Sequence, residues 1–207
     1  MHTMMSRRPV VLMAMVGLLG LTLGVLTAYG QEWLPREAGS LANSAGSWAL
    51  AAFLLAFFAT GPRVAAGCGA LTLIALLAGY VLGAGVRGFP SGSALIVFWG
   101  LAAVFVGPLL GLGAHWVRSG RRTLAAVGAG GMGGVLIGEG AYGLTYVADT
   151  TFPPYWWGEI VVGAVLLCVI AARRLRRPLP VVLSVTVGAA VAAAFVVVFS
   201  GDLISIF

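Results

Sequence analysis

The stretch TLAAVGAGGMGGVLIGEGAYGLTY, residues 123–146, decides how this chain is read. A hydrocarbon core of about 30 Å takes roughly 20 residues of helix, so the stretch is long enough to cross a bilayer. Gly130, Gly134 and Gly138 recur at spacing four, which makes a strip without side chains where a second helix can press close. Beside that strip stands Glu139. From Leu124 it lies about 22 Å along a helix at 1.5 Å per residue, inside the span and nearer its far end. An ionisable group at that depth is a candidate functional site.

Working outward, the whole chain has the same character. Of its 207 residues 60% are hydrophobic and 9% charged, against about 25% charged in soluble domains. So little polar surface cannot keep a chain in water, and an integral membrane protein follows. The 31 glycines then read as close helix packing. The net charge of +6 does not imply nucleic acid, because the arginines sit in short clusters between apolar runs.

Seven spans are expected, at about 10–29, 43–60, 64–84, 93–116, 124–146, 156–172 and 181–199, in one domain covering 1–207. The fold class is all-α, a polytopic membrane bundle. The first run is longer than the 7–15 apolar residues of a signal peptide and carries the pair Gly20 and Gly24, which suits a retained helix. Gly79 with Gly83, and Gly107 with Gly111, repeat that packing pattern. Pro108 removes a backbone donor and predicts a kink in the fourth span. The second span is short in its apolar part. It must begin inside the polar connector 31–47, tilt, or sit where the bilayer thins.

The charges sort by side. Arg7, Arg8, Arg63, Arg118, Arg121, Arg122, Arg173, Arg174, Arg176 and Arg177 fall on one side of the spans. Arg36, Arg87 and all six acids fall on the other or near it. The positive-inside bias then puts the N-terminus in the cytoplasm and the C-terminus, Phe207, outside, in the cytoplasmic membrane. Trp33, Trp48 and the run Phe152–Trp157 read as interfacial aromatics on the acidic side.

Several chemistries are excluded. Every basic residue is Arg, so there is no lysine amine for a Schiff base and no P-loop lysine. No catalytic set appears, no cofactor is implied, and no His or Cys pair has metal-ligand spacing. Cys68 and Cys168 read as small buried apolar residues. What remains is Glu139, with Tyr142 and Tyr146 on its helix face at i+3 and i+7. This carboxylate has two readings: a site for a cation, a proton or a polar substrate group, or a structural bond to a neighbouring helix. Arg87 and Arg36 are the basic residues available to pair with it. Asn43 and Ser44 either cap the second helix or face the same cavity.

The run Leu41-Ala42-Asn43-Ser44 with Trp48, Ala51-Ala52-Phe53 and later Gly138-Glu139 resembles an uncharacterised actinobacterial family of small multi-pass membrane proteins. That resemblance implies location and fold type. The chain is also similar in size to the substrate-capture subunits of energy-coupling-factor transporters. Those have six helices and an Ala-x-x-x-Ala face on the first, whereas here Ala14 is followed by Leu18.

Two functions compete on these grounds. One is a small-molecule or ion carrier with a polar pocket near the outer face, lined by Glu139, Tyr142, Tyr146, Asn43 and Arg87. The other is an accessory subunit whose glycine strips dock a membrane partner or a second copy. A membrane enzyme acting on lipid is a third class.

Overall fold

The computed structural model describes residues 2–201, with side chains from Arg8 onward. The expectations for Arg7, Asp202 and Phe207 lie outside the described side chains. The described chain is helical, in the order α1 (His2–Trp33), α2 (Arg36–Gly39), a 3-10 turn (Ser40–Asn43), α3 (Ala45–Ala56), α4 (Pro62–Val86), α5 (Ser93–Arg118), α6 (Arg122–Tyr146), α7 (Pro153–Ile170) and α8 (Pro178–Ser200). Six of these, α1 and α4 to α8, are long and apolar enough to cross a membrane.

The seventh expected span is different in kind. α3 has 12 residues, about 18 Å of rise, which falls well short of a hydrocarbon core. The chain closes the gap before the helix starts. Ser40, Ala42 and Ser44 are already buried, so the 3-10 turn carries the backbone down into the bundle. Non-helical backbone at such depth survives only where protein buries it or where it lines a polar cavity.

α6 is the axis of the bundle. Two thirds of its most apolar window is buried, a larger share than in any other long helix. Its glycines explain why. On one face Gly130 meets the carbonyl of Ser184, Gly134 that of Gly188, and Gly138 the backbone of Ala192, so α8 lies directly on α6. On another face Gly140 and Gly143 fit against Trp156 and Ile160, which seats α7. Gly113 and Gly128 meet at the crossing with α5.

The other glycine pairs work the same way. Gly20 and Gly24 lie on the Thr72 and Leu76 carbonyls, and Gly79 and Gly83 lie on α1 in return, at Leu21, Val25 and Ala28. Gly107 meets Ala70, and Gly111 meets the Ala65 carbonyl, which joins α5 to α4. In lipid, helix association depends on such van der Waals contact because the solvent is as apolar as the helices. α5 runs from Ser93 to Arg118 through Pro108. Around these contacts Val16, Phe53, Leu76, Leu110, Met132 and Leu136 form the core. Cys68 is buried there, while Cys168 is exposed on the α7 surface instead of packed inside.

The two ends of the bundle differ in charge. One end carries Arg8, Arg63, Arg118, Arg121, Arg122 and the cluster after α7, where a π turn over Ala171–Leu175 ends at Arg176 in a left-handed conformation. The other end carries Glu32, Glu37 and Asp149. There Arg87 donates to Glu32 at 2.7 Å and to the carbonyl of Ala28, and lies 5.5 Å from the centroids of Tyr29 and Phe89. Arg87 therefore ties α4 to α1. Glu32 is largely exposed, so its ion pair contributes under about 1 kcal/mol. Thermal unfolding in detergent should show Arg87→Ala losing clearly more than Glu32→Ala, because it removes the bond to the Ala28 carbonyl and the contacts with Tyr29 and Phe89 as well as the ion pair.

Candidate functional site: a carboxyl pair at the start of a short helix

α3 begins inside the bundle, and its first turn holds the site. Ser44 occupies the N-cap position in extended backbone, and its hydroxyl oxygen accepts from the Ser47 amide at 2.9 Å. The next orphan amides of the helix turn away from water toward α6. The Ala45 amide donates to Oε1 of Glu139 at 2.7 Å, and the Gly46 amide donates to Oε2. The Ser44 hydroxyl stands 3.0 Å from the same Oε2. A carboxyl group thus sits at the positive end of a helix dipole, where the unpaired amides of a first turn favour negative charge.

A second carboxyl joins it. Glu159, in the second turn of α7, places Oε1 3.2 Å from the Ser44 hydroxyl and within hydrogen-bonding reach of Glu139. Both are buried, Glu139 at 4% and Glu159 at 7% exposure. From the helix ends they lie at matching depth, about 10 Å below Tyr146 on α6 and about 9 Å below Pro153 on α7. The close α6–α7 packing at Gly140, Gly143 and Gly163 brings them together. Tyr155 stands next to Ser44 and both carboxyls.

The donors are fewer than the acceptors. Among the described residues, two amides and a single hydroxyl hydrogen are the donors bonded to these four carboxyl oxygens, Tyr155 makes no bond to either carboxyl, and Oε2 of Glu159 has no partner. A carboxylate has no donor of its own, so one added proton or one ligand donor is what this set lacks.

Gly46 makes the arrangement possible. A methyl carbon there would collide with the carboxyl oxygens of both Glu139 and Glu159. Gly46→Ala should therefore expel one carboxyl from its place. We expect a loss of about 2 kcal/mol in unfolding free energy, from an overpacked site and a buried group left unpaired.

Above the pair a cavity of about 530 Å³ opens between α1, α2, α6 and the α6–α7 loop. Glu139, Tyr142, Asn43 and Arg36 are among its lining residues, as are Gln31 and Trp156. Of the residues singled out in the sequence, Glu139, Tyr142 and Asn43 thus share one cavity. Tyr146 stacks on Tyr142 with centroids 5.2 Å apart but is exposed and lies off the lining. Arg87 is held at Glu32 and does not line the cavity. Asn43 accepts from Gln31 at 2.7 Å and makes no bond to Glu139. The cap and the carboxyl contact both belong to Ser44.

Two parts of the site, Glu159 and Gly46, escaped the sequence reading. Glu159 lies near the edge of the span expected over 156–172, just after the aromatic run that ends at Trp157. Its signal was available: Pro153 and Pro154 start a helix, which puts Glu159 in the second turn with Gly163 at i+4. Gly46 carried the other signal, an unshielded backbone two residues after the Ser44 cap.

Fold and site together define a multi-pass helical membrane protein with a buried carboxyl pair under a polar cavity. The chain belongs to a family of unknown function, DUF6518, whose profile matches residues 3–204. No curated protein and no solved structure matches it. The resemblance to an uncharacterised family holds at that level, and the comparisons lend nothing to a likeness with energy-coupling-factor capture subunits or to a particular lineage.

Proposed function

We propose that this chain is a membrane-embedded carrier or binding protein for a small polar molecule bearing a hydrogen-bond donor, an amine above all. The observation that carries this reading is the incomplete donor set of Glu139 and Glu159 beneath a cavity of ligand size. Discontinuous helices whose first turns sit at mid-membrane polar sites are a recurring device of transporters, and α3 has that form. Trp156 and Tyr142 add aromatic faces that favour a cation. By the arginine bias the cavity faces the outside of the cytoplasmic membrane.

The accessory-subunit reading needs glycine strips free to dock a partner. The strips at Gly20, Gly79, Gly107 and Gly134 meet other helices of this same chain, which favours the carrier.

The test is mass spectrometry of small molecules released from protein purified in mild detergent, wild type beside Glu139→Gln. A species retained by the wild type and absent from a folded Glu139→Gln supports the proposal. Identical extracts from both would overturn it.

A further inference from the structure

A second cavity, of about 520 Å³, opens on the side of the bundle between α5 and α8. Its walls are apolar, and it runs inward to Ala49, Leu73 and Leu110, which belong to the buried core. This makes it a groove into the molecule and not simply its lipid-facing surface. From Phe98 to Leu110 the α5 wall rises about 18 Å, which is roughly half of a hydrocarbon core.

The groove and the polar cavity meet. Ala45, Trp99 and Phe199 line both. The junction is an aromatic cluster: Phe199 stands 5.9 Å from Phe98, 6.2 Å from Trp99 and 5.8 Å from Tyr142, centroid to centroid. This cluster lies between the groove and the cavity that Glu139 lines. The polar cavity offers charges of both signs, Glu139 in its wall and exposed Arg36 at its mouth. Arg36 makes no ion pair among the described residues.

We propose that the ligand is a zwitterionic amphiphile of the aminophospholipid kind, with its ammonium at the Glu139 side, its phosphate toward Arg36 and one hydrocarbon chain in the α5–α8 groove. This deepens the carrier reading and rests on it. Apolar contact along the groove holds the chain, while the aromatic cluster and the carboxyl pair select the ammonium over a neutral head.

The experiment uses the full chain in nanodiscs of phosphatidylglycerol. A minor fraction of chain-brominated phosphatidylethanolamine is added, and chain-brominated phosphatidylglycerol serves for comparison. Bromine quenches Trp48 and Trp99 when a chain enters the groove they line. Saturable quenching by the ethanolamine lipid is expected at about tenfold lower mole fraction than by the glycerol lipid, as one charge-assisted contact allows. Ala102→Phe and Ala194→Phe, which fill the groove from opposite walls, should each bring the two lipids level. Phosphoethanolamine, the head without chains, is titrated in parallel by thermal shift.

If phosphoethanolamine binds while the brominated lipids quench alike, the groove inference is overturned and the pocket stands. If the glycerol lipid quenches as strongly and saturably as the ethanolamine lipid, the zwitterionic head is overturned. If neither phosphoethanolamine nor the ethanolamine lipid distinguishes wild type from Glu139→Gln, the carrier reading fails and takes this inference with it.

Discussion

Glu139→Ala should cost this protein more stability than any other single truncation at the site, about 3 kcal/mol or more. The reason is the number of groups it strands. The Ala45 and Gly46 amides and the Ser44 hydroxyl all donate to its carboxylate, and each buried donor left unpaired costs roughly 1–3 kcal/mol. Glu159 would remain with its neighbour gone. Glu139→Gln keeps one acceptor for the α3 amides and offers an amide donor to Glu159, so its loss should be about half as large. Reversible unfolding in mixed micelles, followed by tryptophan fluorescence, measures both. A Glu139→Ala protein as stable as the wild type would mean the carboxylate does not hold α3.

The second large effect is expected at Gly134. A methyl carbon there would lie 2.5 Å from the Gly188 carbonyl and 2.8 Å from the Cβ of Val191. Gly134→Leu must therefore push α8 off α6, and with no water-driven force to restore the contact, the loss should exceed about 3 kcal/mol. Gly131, three residues earlier on the same helix, has nothing within 4 Å of such a carbon. Gly131→Leu should stay within about 1 kcal/mol of the wild type, since the helix tolerates leucine well. The pair isolates packing from composition. Equal damage at both positions would mean the glycines serve something other than close approach.

Much of this was legible in the sequence for a simple reason. In lipid the few polar and small residues carry most of the information, because apolar ones are interchangeable there. The span over 123–146 and its glycine strip follow from length and spacing alone, and α6 runs Arg122–Tyr146. The short second apolar run leaves three readings open, a start inside the connector, a tilt or a thinner bilayer, and α3 starts at Ala45 within the connector.

What could not be read is which faces meet. Glu159 is close to a helix end in sequence, and the packing of α7 on α6 and on the first turn of α3 buries it. Arg87 is as near to Glu139 as to Glu32 in terms of charge sorting. The tight α1–α4 contact at Gly24 and Gly79 is what places it with Glu32. Gly46 looks like one more packing glycine until a carboxylate from a residue 93 positions away is found on its amide. Such partners are set by tertiary contact and leave no trace in local spacing.

The central claim is that the first turn of α3 grips the carboxyl of Glu139 inside the bundle. A double-mutant cycle of Ser44→Ala and Glu139→Gln, read by unfolding free energy, tests it most directly. The arrangement predicts a coupling of about 1 kcal/mol or more between the two positions, as for residues sharing one buried hydrogen-bond network. Strictly additive effects would contradict it.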